Sequence, residues 1–138
     1  MSFDLREHTA DVAVEATGPT LGGTFAAVAD GMAAAMCEAD GWPADGERFE
    51  VSVAAEGREQ LLFDYLDHLI YERDVRGVLP VDNAVTVESD GDDWRVSGSA
   101  RGVPLDSVAA RDLKAVTYSE MDLSETGDGW HAYVVFDV

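Results

Sequence analysis

Apolar residues recur in this chain with two different periods, and the order of those periods is the strongest constraint on its fold. Spacings of three and four residues hold from Leu21 to Met36, after the candidate N-cap Thr20, and again over residues 59–73. Both stretches are predicted amphipathic helices. Shorter stretches that alternate apolar and polar side chains predict seven strands, at 3–7, 12–16, 49–53, 85–88, 94–99, 113–118 and 130–136.

The predicted order is two strands, a helix, a strand, a helix and four further strands. Turn residues at 90–93 and 126–129 join the last strands into hairpins. This order predicts an α+β fold in which two helices pack on a mostly antiparallel or mixed β-sheet. The 138 residues, 46% of them apolar, contain no repeat or linker, so residues 1–138 are predicted to form one domain.

The charge composition restricts the class of partner. Acidic residues outnumber basic ones 28 to 9, for a formal charge of -19. Binding nucleic acid without help requires clustered Lys and Arg, so direct RNA or DNA binding is not expected. Eight of the bases are Arg and only Lys114 is Lys. Such a composition favours adaptation to a salt-rich cytoplasm, and Lys114 is then either a compact ammonium that a ligand requires or a chance survivor.

Targeting signals are not evident. The N-terminal residues lack the charged start and apolar core of a signal peptide. The longest nearly apolar stretch, residues 25–37, contains Asp30 and is too short to span a bilayer. One cysteine, Cys37, excludes an internal disulfide. A cytoplasmic protein with no membrane contact is expected.

Two carboxylates are the candidates for chemistry. The chain has no Gly-x-Ser-x-Gly motif, no phosphate-binding glycine loop, and its three histidines fall in different elements. Asp11 opens an otherwise apolar strand, and Asp137 ends another one residue before the chain terminus at Val138. Hard oxygen ligands at strand ends suit Mg²⁺, Mn²⁺ or Ca²⁺, whereas the alternative is two solvated acids.

Four segments of the chain resemble the archease family. The first is DLREHTADVAVEATG at residues 4–18, which has the family's His-Thr-Ala-Asp followed by an apolar strand. The others are LLFDYLDHLIY at 61–71, LKAVTY at 113–118 and WHAYVVFDV at 130–138. The resemblance therefore extends over essentially the whole chain, and the composition suggests a halophilic archaeon as its source.

The resemblance implies a protein cofactor that is not itself an enzyme. Archeases assist the RtcB-type tRNA-splicing RNA ligase, which joins a 3′-phosphate or cyclic phosphate end to a 5′-hydroxyl. They promote its guanylylation and allow multiple turnover. The protein would then contact RNA only indirectly, through the ligase.

The resemblance also implies a site. The family's divalent-metal ligands correspond to Asp11, Asp137 and Val138, with Ca²⁺ favoured and Mg²⁺ or Mn²⁺ as alternatives. Lys114 falls in the family's Lys-Ala-x-Thr-Tyr stretch.

Three further positions follow from the same motifs. His8, Lys114 and Tyr118 are candidate contacts to phosphate or to the ligase. The family's stretch commonly continues into His, whereas this chain has Ser119, so a role for that histidine is filled otherwise or absent.

Two alternative functions stay open from the residues alone. One is an independent metal-dependent hydrolase or nucleotide-binding enzyme using the same carboxylates, although no base paired with a nucleophile supports it. The other is an interaction module with a purely structural metal site.

Overall fold

The computed structural model of this protein describes residues 2–7 and 11–138, and it contains both predicted helices and all seven predicted strands. The strands are longer than the patterns indicated, and short 3-10 helices lie at Ala39–Gly41 and Leu105–Ser107. The elements are β1 (Ser2–Glu7), β2 (Asp11–Gly18), α1 (Leu21–Met36), β3 (Glu47–Ala55), α2 (Arg58–Arg76), β4 (Val78–Asp90), β5 (Asp93–Pro104), β6 (Ala115–Thr126) and β7 (Gly129–Asp137).

The seven strands divide between two sheets. Sheet A has the order β1-β2-β7-β6, and sheet B has the order β3-β5-β4. Every pair of neighbouring strands is antiparallel. The predicted α+β class is confirmed, with two sheets in place of the single one expected. Both predicted hairpin turns are present, since Asp90 pairs with Asp93 and Thr126 pairs with Gly129.

Both helices contact both sheets and therefore form a middle layer between them. Thr20 caps α1 as predicted, accepting a hydrogen bond from the Gly23 N–H at 3.0 Å. Fourteen of the sixteen α1 residues are buried, because the helix has small side chains where most helices carry charge. At Gly22 a Cβ atom would lie 2.5 Å from the Val85 carbonyl oxygen, so only glycine permits this approach of α1 to β4.

Helix α2 is less enclosed than α1. It extends beyond the predicted range on both sides and ends at Gly77, whose φ of +66° gives a left-handed C-cap. One face is buried in the core (Leu61, Leu62, Tyr65, Leu66, Leu69 and Ile70). Its opposite face is open to solvent beside β3 and β6, an edge strand of each sheet. In the part of the chain that the structure describes, no helix has the length and hydropathy needed to span a membrane.

Candidate functional site

Strand pairing brings the two candidate carboxylates together at one corner of sheet A. Asp11 is the first residue of β2 and Asp137 the last of β7, and they are directly paired across these antiparallel strands. Ala115, at the start of β6, pairs with Asp137 from the other side. Val138 follows directly, so its main chain leaves the sheet at the same place. We call Asp11, Lys114, Asp137 and Val138 the sheet A corner.

Lys114 reaches this corner through its backbone. Its N–H donates to the Asp137 carbonyl at 2.8 Å, which extends the β6–β7 ladder by one residue. The preceding segment is held by both helices. Arg73 of α2 donates to the Leu113 carbonyl at 2.8 Å, and Arg111 donates to the Ala35 carbonyl at 2.7 Å, near the end of α1. Two arginines thus fix the position of the single lysine.

The acidic side chains of the sheet A corner have no partners among the described residues. Asp11 is half-buried and Asp137 exposed, and neither side chain makes a hydrogen bond or ion pair with the residues that the structure describes. The Val138 side chain packs against the core, which anchors the chain end. Two carboxylate side chains are therefore concentrated at one place without a neutralising contact from the described residues.

The Lys114 side chain also lacks such a contact among the described residues, which distinguishes it from the arginines. Six arginines make hydrogen bonds, ion pairs or cation–π contacts, and Arg95 also has a partner (the six are Arg48, Arg58, Arg73, Arg76, Arg101 and Arg111). Leaving aside Arg6, whose side chain is not described, Lys114 is the one base within residues 2–7 and 11–138 whose side chain has no such contact. It is exposed, and its backbone is hydrogen-bonded to that of Asp137. A ligand that needs a cation can reach Lys114 without breaking a structural contact.

The donors at the sheet A corner fit a hard divalent cation. Carboxylate oxygens are the ligands that Ca²⁺, Mg²⁺ and Mn²⁺ prefer. Within residues 2–7 and 11–138, no three His, Cys, Asp or Glu side chains are grouped to hold an ion. The corner offers two such side chains, from Asp11 and Asp137, and its third donor is the main-chain carboxylate of Val138. The metal site therefore stays a prediction.

The other predicted contact residues lie apart from the corner or outside the structure. His8 lies outside the described residues. Tyr118 lies four residues along β6 from Lys114, about 13 Å at the rise of a strand. Its ring is 48% exposed and rests on Phe63 of α2 at 5.4 Å between centroids. Ser119 falls where the β6–β7 register shifts, so no regular strand position defines the direction of its side chain.

A charged cluster that the sequence did not reveal lies farther along the same sheet. The two ring nitrogens of His131 lie 2.9 Å from Glu15 and 3.3 Å from Asp122. The Glu15 hydrogen bond, supported by Asp122, raises the pKa of His131 above its usual value of 6.5. The three residues belong to β7, β2 and β6. Their alternation with core residues is the signal that could have indicated a shared face, once the strand order was known.

One further acid has a perturbed pKa. Burial raises the pKa of Asp30, and hydrogen bonds from the Asn83 backbone and side-chain N–H groups partly oppose that rise. The Asn83 side chain also accepts from Tyr65 at 2.9 Å. This network connects α1, α2 and β4 at the register shift between Val81 and Ala84. These hydrogen bonds give Asp30 a structural role, and the network lies apart from the sheet A corner.

Comparison with known proteins agrees with the two-sheet architecture. A model of the Archease protein family matches residues 3–138. A protein archease from Thermococcus gammatolerans is 34% identical over 136 residues, covering 96% of this chain and 95% of its own, and one from Pyrococcus furiosus is 30% identical with the same coverage.

Two solved structures are similar as well. The solution structure of a Methanobacterium thermoautotrophicum protein has a TM-score of 0.85 at 26% identity and covers 99% of this chain and 98% of its own. The crystal structure of an archease from Thermotoga maritima, described as a possible chaperone, has a TM-score of 0.59 at 25% identity, with coverage of 96% and 94%. Sequence and structure agree over the whole length, and the chain belongs to the archease family.

Proposed function

We propose that this protein activates an RtcB-type RNA ligase in the cytoplasm, promoting its guanylylation and repeated turnover in tRNA splicing. Membership of the archease family over residues 3–138 supports the proposal. The observation that carries it is the sheet A corner, where unpaired acids and one unpaired lysine are held by the ends of three strands. No described side chain pairs with these charges, which is expected where a ligand or partner supplies the contacts.

The residues of the corner have separate roles in this proposal. Asp11, Asp137 and the Val138 carboxylate would hold a divalent ion, with Ca²⁺ favoured, and a bound ion would supply positive charge facing phosphate groups. Lys114 would contact phosphate or a ligase carboxylate as a point charge. Backbone pairing fixes all four residues relative to one another, so the group is preorganised before a partner binds.

Activation follows from differential affinity. A ligase that remains in a product-bound or closed state turns over slowly. A protein that binds its guanylylation-competent state more tightly shifts the population toward that state, and the shift is limited by the difference between the two affinities. Neither a nucleophile nor a general base is required of the activator. An independent metal-dependent hydrolase or nucleotide-binding enzyme would need such groups, and this difference separates the two functions.

The experiment compares the purified protein, the cognate ligase and the two together. RNA with a 3′-phosphate and a 5′-hydroxyl is incubated with GTP and a divalent ion in high salt. We expect no ligation or hydrolysis from the protein alone, and an increase from few turnovers per ligase to many when it is added. Equal ligase turnover with and without the protein would refute activation, and hydrolysis by the protein alone would favour the enzyme alternative.

A further inference from the structure

The large apolar side chains that the protein exposes are concentrated on one side. Among the described residues, four large hydrophobic side chains are exposed: Leu5 by 42%, Tyr71 by 57%, Val75 by 62% and Tyr118 by 48%. Only Leu5 lies elsewhere, on β1. Tyr71 and Val75 belong to the open face of α2, and Tyr118 belongs to β6, which runs beside that helix.

Helix geometry joins these side chains into one surface. At about 100° per residue, Phe63, Tyr71, Val75 and His68 fall within an arc of about 140° on α2. Ring contacts extend it: Phe63 lies 5.4 Å from Tyr118, and His68 lies 5.7 Å from Tyr71. We call these five residues the α2 strip. From Phe63 to Val75 it is about 18 Å long at 1.5 Å per residue.

One end of the α2 strip adjoins the sheet A corner. Arg73, between Tyr71 and Val75, donates a hydrogen bond to the Leu113 carbonyl at 2.8 Å. Lys114 is the next residue, and its backbone N–H bonds to Asp137. Tyr71 and Val75 therefore lie at the same level along α2 as the residue that holds the corner, although Arg73 is itself buried on the opposite face of the helix.

Acidic residues are interleaved with the apolar ones. Asp67 and Asp74 are exposed on the same arc, and Asp64 is half-buried on it. Asp74 is paired with the buried Arg73 at 3.0 Å, and Arg76 is paired with Glu72 at 3.0 Å. Neither Asp64 nor Asp67 makes an ion pair with the residues that the structure describes, so the arc keeps a net negative charge. The complementary surface is an apolar groove bordered by Lys or Arg. A second copy of the chain would place acids against acids, and nucleic acid would place phosphates there.

We propose that the α2 strip is a docking surface for a protein partner that presents an apolar groove bordered by basic residues, and that this partner is the ligase. The inference rests on the proposed function and assigns separate roles to two surfaces. The α2 strip provides affinity, because it offers exposed aromatic and aliphatic side chains that a partner can desolvate. The sheet A corner provides the effect on the ligase once the partner is bound.

The test separates affinity from maximal effect. Stimulation of the purified ligase is measured against the concentration of wild type, Tyr71→Ala, Val75→Ala and the double variant. Both residues are more than half exposed, so these variants are expected to fold like wild type, which thermal unfolding checks. Leu5→Ala is the matched control, an exposed apolar side chain outside the strip. We expect half-saturating concentrations to rise about tenfold for Tyr71→Ala, with unchanged maximal stimulation and no change for Leu5→Ala.

Each outcome discriminates between the two proposals. If wild type does not stimulate the ligase, the proposed function fails. If wild type stimulates and the double variant has the same half-saturating concentration, the function stands and the docking surface is wrong. Sedimentation of the protein alone gives the remaining check. A wild-type dimer that becomes monomeric on Tyr71→Ala would assign the strip to a second copy and overturn the proposal.

Discussion

The two ends of the β2–β7 strand pair carry similar residues in opposite circumstances. At one end, Asp11 and Asp137 face each other with no side-chain partner among the described residues. Farther along the pair, His131 lies between Glu15 at 2.9 Å and Asp122 at 3.3 Å. The same backbone ladder positions both groups. The difference is that the charged groups of the His131 cluster are paired with one another within the protein, whereas the acids of the corner have no side-chain partner among the described residues.

This contrast separates charges that stabilise the fold from charges that we propose are available for a ligand. A self-contained cluster contributes to stability and loses that contribution when one member is removed. Unpaired acids of like sign oppose folding, so removing one should cost no stability. Substitutions at the two ends are therefore expected to have opposite signatures.

The largest effect is expected for divalent-ion binding at the corner. Asp11→Asn and Asp137→Asn each remove a charged ligand while keeping size and shape. We expect each to weaken Ca²⁺ binding by at least about tenfold, roughly 1.4 kcal/mol, without lowering the midpoint of thermal unfolding. Calorimetric titration checks the affinity. Unchanged binding in both variants would show that Asp11 and Asp137 are ordinary solvated acids.

A smaller loss of ion binding is expected when the chain is extended past Val138. The extension converts the terminal carboxylate into a neutral peptide carbonyl, which can still coordinate an ion but without its charge. We expect a several-fold weaker affinity, less than for loss of Asp137. Three residues added at the C-terminus are compared with three added at the N-terminus in the same titration. Equal affinities for the two extensions would remove Val138 from the site.

Lys114 should show an effect on the ligase alone. Lys114→Arg keeps the charge and replaces a compact ammonium with a planar fork, so a contact of restricted size is lost while the exposed position tolerates the change. We expect maximal ligase stimulation to fall several-fold, with the free energy of unfolding within about 0.5 kcal/mol of wild type. Full stimulation by this variant would make the single lysine an accident of composition.

The smallest effect is expected at the His131 cluster, and it depends on pH. Folding raises the pKa of His131 above 6.5, so its contribution is fully present below pH 6.5 and is lost as the pH rises through the folded-state pKa. His131→Gln should cost at most about 1 kcal/mol, as a partly exposed ion pair does. Urea unfolding at pH 6 and pH 9 measures the difference from wild type. A difference that grows toward pH 9 would contradict this assignment.

Local patterns predicted the elements of this fold better than their assembly. Periodicity indicates each strand and helix because it is set by neighbouring residues. The division into two sheets depends on pairs such as Asp11 with Asp137, which are far apart in the sequence. No local signal marks the irregular middle of β6 either, since Glu120, with φ of +64°, is not glycine.

The limit of local patterns also explains which functional residues the sequence indicated and which it did not. Asp11 and Asp137 were identified as unusual acids in apolar strands, and the family resemblance suggested that they act together. His131 belongs to a cluster whose members come from three strands, so it could not be recognised without the strand order. The α2 strip was missed because its aspartates made that face of the helix resemble an ordinary solvated one.

The most direct test of the account is the number of ligase turnovers at saturating concentrations of three proteins: wild type, Asp137→Asn and His131→Gln. The two substitutions lie on the same strand, toward its opposite ends, and each replaces one ionisable side chain with an uncharged amide. The account predicts many turnovers with wild type and with His131→Gln, and few with Asp137→Asn, although Asp137→Asn is no less stable than wild type. Many turnovers with Asp137→Asn would contradict the claim that the sheet A corner acts on the ligase.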